Sequence, residues 1–116
     1  MKKINVLITI ALLFLFNGCS KYEFYDWAIN SKRDGSNLEL KKIKINDGVI
    51  VYLENKNVQK DERFVLVHGF GASKDNWLDL SSELSSKYHL LILDLPGHGE
   101  SFSIDSKKYT IKNQTT

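Results

Sequence analysis

Cysteine is almost absent from this sequence. Cys19 stands alone among 116 residues, which excludes an internal disulfide and any metal centre built from several thiolates. Proline occurs once, as Pro96, and there is neither an internal repeat nor a low-complexity tract, so an array or a long proline-rich linker is excluded. Acidic residues are missing from the first 22 positions; Glu23 is the first. No apolar run reaches the ~20 residues that cross a bilayer comfortably. Excess charge of one sign is missing too. The formal net charge is +2, and without Lys2 and Lys3 the remaining 14 basic and 14 acidic side chains cancel. Such a balance leaves no electrostatic footprint for nucleic acid. What remains, 42% hydrophobic and 26% charged residues, suits one small globular domain rather than a disordered chain.

The absences concentrate meaning in the first 20 residues. Met1-Lys2-Lys3 is a short positive region, and residues 4–16 form an apolar run interrupted only by Asn5 and Thr9. Asn17-Gly18-Cys19-Ser20 follows, small or polar throughout. This is the pattern of a signal peptide over 1–18. Gly18-Cys19 resembles a bacterial lipobox, with Phe16 where leucine is usual and Asn17 where a small residue is usual. The resemblance implies that Cys19 is lipidated and becomes the mature N-terminus. The protein would then be exported and held on a membrane of the cell envelope, because each buried CH₂ of an acyl chain contributes ~0.8 kcal/mol. An ordinary secreted signal and an uncleaved anchor are the alternatives.

Residues 19–37 form a linker and a short helix. Tyr22 or Phe24 with Tyr25, Ala28 and Ile29 approximates a helical stripe that ends near Asp34-Gly35. Its aromatic density fits either packing on the body of the domain or contact with a membrane. From Leu38 to Ile45 the pattern alternates, and the β-branched run 49–53 follows Asn46-Asp47-Gly48. Asp47-Gly48 between two such runs predicts a hairpin turn, whose residues must accept positive φ. Two later runs, 64–67 and 90–93, are continuously apolar, as in parallel strands covered on both faces. Between them Ser73 can cap a helix with Asp75 in its first turn, and Trp77, Leu80, Leu84 and Tyr88 continue at helical spacing. The spacing predicts a βαβ unit with a helix over about 74–87.

Three motifs sit at the ends of these elements: His68-Gly69-Phe70-Gly71, Asp75-Asn76-Trp77, and Asp94-Leu95-Pro96-Gly97-His98-Gly99-Glu100-Ser101. In this order and placement they resemble the front half of an α/β-hydrolase, in particular bacterial lipases and esterases. The resemblance implies an α/β fold in which residues 38–116 supply the N-terminal part of the sheet: an antiparallel hairpin followed by a βαβ unit, incomplete as it stands. It further implies an enzyme acting on carboxylic esters or lipids, without cofactor or metal. In that family one oxyanion donor is a backbone N–H in the loop after the third strand. The resemblance assigns that donor to Phe70. Gly69 and Gly71 would free the backbone to turn it, and the resemblance implies that His68 braces the loop by hydrogen bonds and that the Phe70 ring walls the acyl pocket. The family's catalytic order, Ser…Asp/Glu…His, makes His68 a poor candidate base.

Other candidates fall away on similar grounds. His98 lies in a glycine turn and His89 precedes a strand, so no set of histidines and acids has metal-ligand spacing. Asp94 is read as structural, fixing the Pro96-Gly97 turn. Gly99-Glu100-Ser101-Phe102-Ser103 only mimics Gly-x-Ser-x-Gly, because its last position is serine and no apolar strand directly precedes it. Nucleophile, acid and base are therefore expected beyond Thr116, leaving these 116 residues inactive alone and the two apolar strands with uncovered faces. Two further readings stand beside this one. A dehalogenase or epoxide hydrolase of the same fold would use aspartate as nucleophile and often carries an acidic residue or proline after His-Gly, where Phe70-Gly71 has neither. A membrane-anchored binding lipoprotein without catalysis would leave the His-Gly loop without a purpose.

Overall fold

A computed structural model describes residues 21–46, 48–56 and 59–103, together with 6, 8, 110 and 112. The signal segment, apart from Val6 and Ile8, lies outside the described residues, as do Cys19 and Asp47. The chain divides into two units at Ser31–Lys32, inside helix α1 (Lys21–Gly35). In the first unit the Phe24 and Trp27 rings lie 5.9 Å apart, and Lys21 sits over the Tyr22 ring.

The second unit begins with the last turn of α1. That turn is closed by Ser36 N–H, which donates to the Lys32 and Arg33 carbonyls, and by Asn37, whose φ of 59° takes the left-handed capping position. Gly35 remains helical, so asparagine rather than glycine terminates this helix.

The sheet has the order β1-β2-β4-β3, with β5 (Phe102–Ser103) pairing β2 beside this path. Strands β1 (Leu38–Ile45) and β2 (Gly48–Asn55) form the expected antiparallel hairpin, with Ile45 opposite Gly48. This register takes Gly48 out of the turn, and Asn46 carries the positive φ of 40°. Gly48 is a strand residue instead. It pairs with Ser103, and a Cβ there would come within 2.6 Å of the Phe102 carbonyl oxygen. The glycine predicted for turn geometry is thus needed for close approach of β5. Gly48→Ala is expected to destabilise the protein by about 1–3 kcal/mol through overpacking against backbone. Urea unfolding measures this, and an unchanged midpoint would show that β5 can move away freely.

Strands β3 (Arg63–Val67) and β4 (His89–Leu93) pair in parallel from Arg63↔His89 to Val67↔Leu93, as the two apolar runs predict. The connection is shorter than expected. A 3₁₀ helix (Lys74–Trp77) leads into α2 (Leu78–Leu84), which stops where Asn55 intervenes. The Asn55 amide donates to the Ser85 and Tyr88 carbonyls at 2.8 and 3.0 Å, and its oxygen accepts from Leu90 N–H at 2.6 Å. One side chain at the end of β2 thereby caps the helix end and starts β4.

Burial is one-sided. Leu38, Val51, Leu53, Leu78, Leu90 and Ile92 are buried together, while Phe64, Val65 and Val67 of β3 are exposed. On the opposite face Ile43, Ile50, Tyr52, Val65, Leu91 and Leu93 line an apolar cavity of about 290 Å³. The continuous apolar runs signal two buried faces, and among the described residues only one is covered. No helix among the described residues is long and apolar enough to cross a membrane.

Candidate functional site

The loop 68–73 leaves the C-terminal end of β3 and carries the predicted donor. Ala72 N–H donates to the Gly69 carbonyl at 3.2 Å, closing a four-residue turn with Phe70 and Gly71 at its centre. Gly71 has φ of 72°, the left-handed value that a type II turn requires of its third residue and that glycine meets without strain. Among the described residues the Phe70 N–H makes no hydrogen bond, and its ring stands fully in solvent. The ring expected to wall an acyl pocket therefore touches no described wall.

Both ends of the loop are tied to one segment. His68 is buried, and its Nε2 accepts from Leu95 N–H at 3.1 Å. That bond needs an unprotonated Nε2, which places the ring hydrogen on Nδ1, donating to the Gly69 carbonyl at 2.9 Å. Neither nitrogen is left to act as a base. At the other end Lys74 N–H donates to Asp94 Oδ1 at 2.7 Å. Asp94 is fully buried and also accepts from Glu100 N–H at 2.9 Å. Its carboxylate thus reaches past the Pro96-Gly97 turn, which is closed by His98 N–H on the Leu95 carbonyl at 2.9 Å. Gly99, at φ of 52°, packs against this carboxylate so tightly that any Cβ would collide with it.

Ser101 is buried, and its Oγ accepts from Val51 N–H at 2.8 Å. The His98 ring lies 5.0 Å from that of His68. Serine and histidine engage different partners, so the near-match to a nucleophile motif forms no catalytic pair. His89 binds Glu54 Oε1 at 2.7 Å on the sheet, away from the loop. Among the described residues no group of three or more His, Cys, Asp or Glu side chains could hold a metal.

Behind the loop lies a cluster of charges that sequence reasoning missed. Lys74 is completely buried and donates through Nζ to Asp94 at 2.8 Å and to Glu100, with Asp75 at 3.4 Å. Arg33 from the last turn of α1 grips Asp75 through Nε and Nη2, both at 2.7 Å, and reaches Glu100 at 2.9 Å. Burial opposes the Lys74 charge, but hydrogen bonds to Asp94 and Glu100 outweigh it and hold the ammonium above the ordinary lysine range. Burial likewise opposes the charges of Asp75 and Glu100. Arg33 and Lys74 prevail at both, keeping the carboxyls below their usual 3.8 and 4.5. Asp75, Asp94 and Glu100 stand in motifs read from the sequence, but nothing local marks them, or Arg33 and Lys74, as members of one buried charge cluster.

Depressed carboxyl values contribute stability that is present above the unfolded-state values and disappears as pH falls through the folded ones. Melting temperature is therefore expected to hold near neutrality and to drop below about pH 4. Arg33→Met should flatten that drop. An equally steep acid limb in the variant would place the responsible carboxylates elsewhere.

Comparison with known proteins agrees with this geometry. Residues 62–114 match a family described as having the alpha/beta hydrolase fold. The chain is 42% identical over 89 residues to Lipase 1 of Psychrobacter immobilis, covering 76% of this chain and 27% of that protein. It is 39% identical over 89 residues to Lipase 3 of Moraxella sp. (strain TA144), covering 76% and 28%. Among solved structures, a membrane phospholipase A described as a bacterial virulence factor superposes with a TM-score of 0.71 at 30% identity, covering 98% of this chain and 37% of its own. The chain thus spans little more than a quarter of the curated lipases it matches.

Proposed function

From the premise that this chain carries part of an α/β-hydrolase fold, we propose that it belongs to an enzyme, as the front segment of an exported serine hydrolase acting on carboxylic esters or lipids. The observation that carries the reading is the Phe70 N–H, unpartnered among the described residues and presented after the end of β3 by a turn that Gly71 makes possible. Ester hydrolysis passes through a tetrahedral oxyanion, and each preorganised N–H donor is worth roughly 3–4 kcal/mol there. Phe70 supplies one such donor, with Gly69 and Gly71 shaping the turn and His68 bracing it. In this reading the nucleophile, acid and base lie beyond Thr116, and the Phe70 ring meets its pocket partners there too. The kinship to two lipases and a membrane phospholipase supports an ester or lipid substrate.

Export and anchoring belong to the same proposal. Residues 1–18 are removed, and Cys19 is lipidated, fixing the enzyme to a membrane of the cell envelope. Two measurements on the complete product of the gene test the reading. Intact mass of the membrane fraction should show a diacylated N-terminal Cys19; a free thiol or another N-terminus overturns the anchor. The coding sequence after Thr116 should carry Gly-x-Ser-x-Gly at the end of a strand, whereas Gly-x-Asp there assigns the dehalogenase or epoxide hydrolase chemistry.

A further inference from the structure

Arg33 lies outside the family-matched segment 62–114, yet its guanidinium joins the two segments that flank the loop. Asp75 belongs to the 3₁₀ helix that follows the loop, and Glu100 to the turn that follows β4. The Arg33 side chain is 7% exposed and the Asp75 side chain 14%, so little water competes for this pair. The two nitrogens on Asp75 form a planar fork, which sets both distance and angle, whereas the Lys74 ammonium sets distance alone.

Orientation at Asp75 passes directly to the loop. Asn76 Oδ1 accepts from Ser73 N–H at 2.9 Å, and Asn76 N–H donates to the Ser73 carbonyl at 3.1 Å. Residues 73–76 therefore move as one piece, and rotating Asp75 rotates Ser73 and, through Ala72, the turn at Gly71. At the other end His68 is held by Leu95 N–H. With His68 held there and Lys74 N–H held on Asp94 Oδ1, the angle of the 3₁₀ helix about these two anchors decides where the Phe70 N–H points.

We propose that Arg33 is a positioning residue for the Phe70 N–H, so that the last turn of α1 tunes the oxyanion donor from outside the hydrolase segment. This inference rests on the ester-hydrolase reading for its catalytic consequence, though not for the clamp itself.

The test compares Arg33→Met and Arg33→Lys in the complete product of the gene, with Asp75→Asn as a second route should Arg33→Met fail to fold. Backbone amide exchange and ester hydrolysis are both measured. For Arg33→Met, the hydrogen-bonded loop amides of Ala72 and Ser73 are expected to exchange about tenfold faster while those of β2 and β4 keep their rates. The kcat on a short-chain p-nitrophenyl ester is expected to fall about 10–100-fold with KM nearly unchanged, since a donor displaced by a fraction of an ångström weakens transition-state binding alone. Arg33→Lys keeps the charge but loses the fork, and should restore thermal stability while recovering only part of kcat. Full recovery of kcat in Arg33→Lys overturns the inference, as does loosening spread equally over β2 and β4. If the parent protein hydrolyses no ester, the functional reading falls. The exchange rates of the Ala72 and Ser73 amides then still decide the clamp, and unchanged rates in Arg33→Met overturn it.

Discussion

Assayed alone on a short-chain p-nitrophenyl ester, the 116-residue chain is expected to turn over no faster than buffer, while a longer product carrying a nucleophile elbow does. Attack on an ester needs an activated nucleophile within ~3 Å of its base and a pair of donors facing one carbonyl oxygen. Among the described residues the Phe70 N–H is the one donor so placed. The one serine in a motif-like setting, Ser101, is buried and spends its Oγ on Val51 N–H. Of the nearby histidines, His68 has both nitrogens engaged and His98 packs beside it. Loss of the nucleophile in a serine hydrolase lowers kcat by about 10⁶-fold and leaves only what the oxyanion hole and binding supply, of which these residues present one donor. In the longer product, Ser101→Ala should leave kcat unchanged. It should cost about 1–3 kcal/mol of stability, because Val51 N–H then lies buried without its acceptor. Turnover by the chain alone that Ser101→Ala abolishes would overthrow both halves of this expectation.

Lys74→Met is expected to be the most damaging single substitution for stability, at about 3–5 kcal/mol, because it strips the charge partner from buried acids. The lysine is fully buried, with three carboxylates around its ammonium. Methionine fills a similar volume, so the loss reports electrostatics rather than a cavity. Asp94 is the member least able to adapt. It is fully buried, and Gly99 closes over its carboxylate. Glu100 has a side chain 43% exposed and can turn toward water, so Glu100→Gln should cost far less. Urea unfolding of the three proteins checks the order. A Lys74→Met loss below about 1 kcal/mol would show that the acids relax into solvent, contrary to the burial seen here.

Sequence alone determined those features that depend on near neighbours. The two apolar runs became β3 and β4, because an uninterrupted stretch of branched side chains has few other places to go. The hairpin, α1 and the turn at Gly71 followed equally from local chemistry, as did the place of Phe70 just after a strand. Tertiary structure alone decided matters settled by strand register. Gly48 looked like a turn residue until the hairpin register put it against the Phe102 backbone. Ser101 is set aside as a nucleophile by its sequence context, but its role as acceptor for Val51 N–H appears only once the chain after β4 folds back over β2. The runs 64–67 and 90–93 promised two covered faces, but burial depends on what lies opposite, and only one layer does so among the described residues. Arg33, Lys74, Asp75, Asp94 and Glu100 carry no periodicity, and Arg33 meets partners 42 and 67 positions away. A charged side chain looks the same in sequence whether water or another charge will face it; only the sheet and its crossover, by bringing three distant segments together, make these five a single buried cluster.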